Sequence, residues 1–205
     1  MIILGADLAT STGICWGRPR SAPRAYAVRA PVTGDDLGLW GTFWLRAFAR
    51  VLDDVTEALE PDEELLVCYE APVTIEKKWD PSVGKMVGGN PIATTRKLQS
   101  LGVLLETACA LRDIEIDVRE CHLSSIKKLV TGKGKADKSM MVLAARRAGI
   151  SLPDGPEAHD AADAFGAWLY AIYHRSPADM PFWDQRLHGR VSPRPTDGAD
   201  HDRQG

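Results

Sequence analysis

The hydrophobic pattern along the chain changes period several times. The opening run MIILGAD is almost wholly apolar until it meets Asp7, which is the signature of a buried strand. ICWGRP (14–19) and RAYAVRA (24–30) follow as two further short strands, separated by breaks at Thr12-Gly13 and between Pro19 and Pro23. Links this short make the three strands antiparallel. From Asp35 to about Glu60 the apolar residues Leu37, Trp40, Trp44, Phe48, Val51, Val55 and Leu59 recur at three- and four-residue intervals, which predicts a helix with one continuous stripe. ELLVCYE (64–70) is again a strand and stops at Glu70.

Residues 74–92 (TIEKKWDPSVGKMVGGNPI) follow neither period and read as a long loop. A helix is expected over 93–111, with Leu98, Leu101, Leu105 and Ala108 on one face, and an alternating strand over 114–120. Two helices, 122–131 and 137–148, flank the turn TGKGKA. The last strong helix covers 156–174, with Asp154 and Glu157 at capping-box spacing and Ala161, Phe165, Trp168 and Ile172 as its stripe. The order β-β-β-α-β-α-β-α-α predicts an α/β fold: a mixed five-stranded sheet, three antiparallel strands and then parallel ones, with helices on both faces. Residues 1–175 form one domain on this reading. Residues 176–205, rich in Pro, Asp and Arg, are expected to be a disordered tail.

Composition narrows the function classes. The chain has 205 residues, 44% hydrophobic and 26% charged, which is globular. No apolar run reaches the ~20 residues of a membrane span, and the start lacks the basic region of a secretory leader, so a cytoplasmic protein is expected. Cys15, Cys68, Cys109 and Cys121 have no CxxC or CxxH spacing, which disfavours structural zinc and a disulfide framework and fits reduced thiols. The net charge of -3 hides a strong segregation. Residues 53–64 carry seven acids and no base. Residues 121–147 carry Lys127, Lys128, Lys133, Lys135, Lys138, Arg146 and Arg147 against the single acid Asp137. An acidic protein with one basic face can still bind phosphates.

The candidate chemistry lies in four acids beside apolar runs. Asp7 and Glu70 end buried-type strands, and Asp160 and Asp163 sit three apart in HDAADAF, on one face of the last helix. Charges in such places are paired or bind metal. Each acid alone also has an ordinary role: Asp7 as a cap for the turn at Thr10 to Thr12, Glu70 at the surface before Pro72, Asp160 exposed, Asp163 paired with an Arg. Taken together they point to a cluster that cannot ionise fully without cations and that suits Mg²⁺ or Mn²⁺, two ions better than one. Two ions about 4 Å apart activate a water and stabilise the leaving oxygen of a phosphodiester.

The segments GADLATSTGICWG, VCYEAP, IKKLVTGKGKADKS and HDAADAFGAWLYAIYH, in this order over residues 1–175, resemble the RuvC-type Holliday junction resolvases of the RNase H-like superfamily. Divergent members of that family occur in phages and prophages. The resemblance implies an RNase H-like nuclease fold and a crossover junction endodeoxyribonuclease that resolves four-way junctions by paired symmetric nicks. It implies that Asp7, Glu70, Asp160 and Asp163 are the metal-binding acids and that Lys127 and Lys138 hold phosphates near the scissile bond, with Lys138 counted among the catalytic residues. Lys128, Lys133, Lys135, Lys77 and Lys78 are then DNA-binding candidates. His159 adjoins the helical pair and stays outside the ligand set.

Where the family often has an aromatic residue just after the strand-end Glu, this chain has Ala71-Pro72-Val73. Trp79 is the candidate for the stacking role instead. The two-fold symmetry of a junction implies a homodimer, for which the helix carrying Leu98, Leu101, Gly102 and Leu105 is a candidate interface. Other readings stay open: a branched-DNA binding module without catalysis, an RNase H-like nuclease for flaps or RNA/DNA hybrids, and a sugar-kinase or actin-like ATPase, for which one domain is too short.

Overall fold

The computed structural model describes residues 1–32, 36–70, 77–88, 91–114 and 121–189. The main sheet has the order β3-β2-β1-β4, built from β1 (Ile2–Asp7), β2 (Ser11–Gly17), β3 (Arg24–Arg29) and β4 (Leu65–Glu70). β1, β2 and β3 are antiparallel neighbours, and β4 lies parallel to β1 on its other side. Among the described residues this sheet has four strands rather than the expected five. Of the strand expected at 114–120, residues 115–120 lie outside the described residues.

Side-chain alternation divides the sheet into two cores. Ile2, Leu4 and Ala6 of β1, with Val67 and Tyr69 of β4, pack on α1 (Leu37–Glu57) and α2 (Ile92–Ala110). Ile3, Leu66, Cys68 and Cys15 face the opposite way, against α3 (Leu123–Thr131), α4 (Lys138–Arg147), α5 (Glu157–Arg175) and α6 (Met180–His188). Leu101 and Leu105 of α2 are fully buried in the first core, and Gly102 lies beneath the Tyr69 hydroxyl. The α2 face expected to form a dimer interface is therefore core.

α5 is buried on nearly every side, from Ala158 to Ile172, because it lies directly on the sheet. Two glycines permit that approach. A Cβ at Gly5 would overlap the Trp168 backbone, and one at Gly13 would overlap the Asp160 carbonyl. The alanines at 158, 161, 162, 164 and 167 keep the helix slim enough to fit. Its N-cap is Pro156 without a side-chain hydrogen bond, so the Asp154–Glu157 capping box does not form. α4, by contrast, is capped as its sequence suggests, with Asp137 accepting from the Met140 amide at 2.8 Å.

Two expectations change. The segment read as a loop over 74–92 contains a hairpin, β5 (Lys77–Asp80) paired with β6 (Lys85–Gly88). Asp80 accepts from the Ser82 amide and hydroxyl, and Gly84 takes φ +61°, so turn chemistry and not alternation defines it. The domain also continues past residue 175. A 3₁₀ turn at Pro177–Asp179 leads into α6, which buries Met180, Trp183 and Leu187 against α5 and α4. Residues 190–205 lie outside the described residues.

Candidate active site

The same alternation that splits the core positions the acids. Asp7 has the parity of Ile3 and Gly5, and Glu70 that of Leu66 and Cys68, so both face α5. They are direct partners in the parallel β1–β4 register. Across the sheet, Ser11 and Gly13 of β2 face the first turns of α5. The Gly13 notch sets the Asp160 backbone against β2, and Ser11 Oγ donates to Asp160 Oδ2 at 2.6 Å. Lys138, first residue of α4, places Nζ 3.8 Å from Asp160 Oδ1. Asp163 is one helical turn further on and 7% exposed. Its Oδ1 is buried and has no hydrogen-bond partner.

Charge couples these groups into one neighbourhood. The Asp7 carboxyl is held well above its usual range, first by burial and then by the negative charges of Asp163, Glu70 and Asp160, with Lys138 opposing. Glu70 is pushed up to about 7 by burial and by Asp163, while Lys127 pulls it down. Asp163 is raised mainly by burial and also by Asp160, against Lys138, Lys127 and His159. The four acids named from the sequence thus share one field with Lys127 and Lys138. Among the described residues, however, no three His, Cys, Asp or Glu side chains stand ready-grouped as a metal shell. The donor set nonetheless fits a hard divalent cation: every group is a carboxylate, three are held towards the neutral form by crowding and burial, and one oxygen is orphaned.

The other candidates are placed less centrally. Lys128, beside Lys127 on α3, instead borders a cleft of about 640 Å³ formed with Gly132, Tyr173, His174 and His188. Lys133 and Lys135 are exposed on the turn between α3 and α4, where Gly132 takes φ +77° as the C-cap of α3. Lys77, Lys78 and Trp79 lie on β5, and their side chains lie outside what is described. Ser11 is the site residue that sequence reading passed over. Its neighbour Thr12 closes the local turn, with its hydroxyl donating to the Ala9 carbonyl at 2.8 Å, which leaves Ser11 free to reach α5. The only available signal was a hydroxyl two residues before a strand glycine.

Fold and site together define an RNase H-like α/β domain with an acidic cluster at the ends of its adjacent parallel strands, β1 and β4. No family model matches the chain. It is 34% identical over 124 residues to the crossover junction endodeoxyribonuclease RuvC of Bordetella parapertussis, and equally to that of Bordetella pertussis, over 58% of this chain and 64% of each relative. The match thus spans less than two thirds of the curated relatives' length. Among solved structures, a Thermus thermophilus RuvC structure superposes with a TM-score of 0.53 at 16% identity, covering 86% of this chain and 97% of that one. The T. thermophilus RuvC in complex with a Holliday junction substrate gives 0.55 at 15% identity, over 86% and 96%. The chain is thus similar in sequence to part of the RuvC proteins and shares their fold.

Proposed function

We propose that this protein is a metal-dependent, structure-selective endonuclease that resolves Holliday junctions or other branched DNA by paired symmetric nicks. The observation that carries the reading is the shared field of Asp7, Glu70, Asp160 and Asp163 beside Lys127 and Lys138. The four carboxylates would hold two Mg²⁺, with Mn²⁺ able to substitute. Bound there, such ions would supply a more acidic attacking water and would offset charge on a departing 3′-oxygen, chemistry that yields 5′-phosphate and 3′-hydroxyl ends.

The chain's own residues do the rest. Gly13 and Ser11 fix where Asp160 sits, and burial keeps Asp163 dry. Lys138 and Lys127 supply positive charge for a phosphate at the edge of the acidic cluster. Lys128, Lys133 and Lys135 extend that charge along α3 and the following turn. Two matched nicks on a two-fold junction call for a homodimer. The T. thermophilus RuvC complex with a Holliday junction substrate supports the choice of substrate.

Purified protein incubated with a synthetic four-way junction tests this, with Mg²⁺ or with EDTA, beside an Asp7→Asn variant. Symmetric nicks confined to wild-type protein with Mg²⁺ are expected. Junction binding without cleavage in any divalent cation points to a binding module. Preferential cutting of flaps or RNA/DNA hybrids points to another RNase H-like substrate.

A further inference from the structure

Two cysteines of the core that includes α5 lie 53 positions apart in sequence, yet their sulfurs meet. Cys68 Sγ and Cys121 Sγ are 3.0 Å apart in a buried setting. That separation is about 1 Å more than a disulfide bond. Cys68 is in β4, on the same sheet face as Glu70 and two residues before it. Cys121 precedes α3, the helix that carries Lys127. The remaining cysteines, Cys15 and Cys109, are buried free thiols, Cys109 in the other core.

We propose that Cys68 and Cys121 form an oxidisable pair, a modification site at which a small peroxide closes an internal disulfide. Cys121, the slightly less buried residue of the two at 5% exposure against 1% for Cys68, is assigned the first oxidation. Its sulfur attacks one oxygen of hydrogen peroxide, the O–O bond breaks, and water leaves after proton transfer, giving a sulfenic acid. Cys68 sulfur then displaces that oxygen as a second water and forms the S–S bond. In sum, two thiols and one hydrogen peroxide give one disulfide and two waters. The sulfurs are oxidised by two electrons and the peroxide is reduced by two.

The bond ties the end of β4 to the start of α3, so the spacing between the Glu70 strand and the Lys127 helix becomes covalently fixed. Both elements already border the same core, so closure needs a small shift of two side chains rather than a rearrangement of the fold. A cross-link over so long a loop chiefly restricts the unfolded chain. The inference does not depend on nuclease activity.

The test treats the reduced full-length protein with hydrogen peroxide. It reads intact mass, a non-reducing peptide map and thermal unfolding. A mass loss of about 2 Da is expected, with one cross-linked peptide joining Cys68 to Cys121. Tm should rise by about 5 °C or more, and dithiothreitol should reverse every change. Cys121→Ser should abolish both the mass loss and the Tm rise. The wild-type peptide map decides the matter even if that variant folds poorly. Stepwise gain of oxygen at Cys68 or Cys121, an unchanged mass in excess peroxide, or a cross-link through Cys15 or Cys109 would overturn the proposal.

Discussion

Ser11 Oγ donates to Asp160 Oδ2 at 2.6 Å, joining β2 to the first turn of α5 across the sheet face that carries the acids. The bond orients one carboxylate and leaves Oδ1 turned to Lys138. In a metal site, a side chain that holds a ligand in place tunes the affinity for the metal. Ser11→Ala is expected to raise the Mg²⁺ concentration for half-maximal cleavage by roughly 10- to 100-fold. Ser11→Thr keeps the hydroxyl and should stay near wild type. A Mg²⁺ titration of junction cleavage for the three proteins checks this. Equal midpoints would show that Asp160 needs no such support.

Lys138 stands beside the acidic cluster without closing a tight ion pair, at 3.8 Å from Asp160 Oδ1. Its charge lowers the Asp7 and Asp163 carboxyls against the burial that raises them. Lys138→Met removes the proposed phosphate partner and one source of charge compensation together. Cleavage should fall by roughly two orders of magnitude at saturating Mg²⁺, in keeping with the loss of one preorganised charge at a reacting centre. The junction Kd, measured in Ca²⁺, should change much less. A loss confined to Kd would make Lys138 a binding residue only.

The acids also set how stability depends on pH. Glu70 is raised from 4.5 to about 7, so over that interval the folded protein binds more protons than the unfolded chain. Stability therefore falls as pH rises from about 4.5 to 7, and the full penalty persists above the folded value. Asp7 and Asp163 shift in the same direction. In EDTA, the folded state should lose on the order of 2–3 kcal/mol across that window from Glu70 alone. Glu70→Gln should flatten the slope. Excess Mg²⁺ at pH 8 should restore much of the loss, because a cation removes the reason for the shift. Thermal melts from pH 5 to 8 in EDTA and in Mg²⁺ give the comparison. A stability that climbs through this range in EDTA would show that the carboxylates are not crowded.

Much of this site was legible because two simple periods point at it. Strand alternation places Asp7 with Ile3 and Glu70 with Cys68, and the three-residue helical spacing places Asp160 with Asp163. The Ser11 bond was not legible, because it depends on how far α5 sinks into the notch left by Gly5 and Gly13. The β5–β6 hairpin escaped notice because KKWD and KMVG do not alternate. Its turn residues Asp80, Ser82 and Gly84 carry the signal instead. The Cys68–Cys121 contact joins positions 53 apart, and no local pattern records such a distance.

α6 was hidden by its surroundings, and its packing gives a further prediction. Met180, Trp183 and Leu187 have helical spacing, but the helix is only nine residues long and charged or Pro-rich sequence follows. In the fold, Trp183 is fully buried, donates from Nε1 to the Pro19 carbonyl at 2.6 Å, and packs edge-on against Trp168 at 5.1 Å and Phe165 at 5.8 Å. Trp168 in turn donates to the Gly17 carbonyl, so the cluster links α6, α5 and the end of β2. Trp183→Ala removes a large buried side chain and leaves the Pro19 carbonyl without this donor, at a cost of about 3–5 kcal/mol. Truncation after Arg175 should destabilise the domain at least as much, since it exposes the Phe165–Trp168 surface to water. Urea unfolding of both variants measures the two costs. If the chain ending at Arg175 unfolded at the wild-type midpoint, α6 would be an appendage and the domain would end where its sequence first suggests.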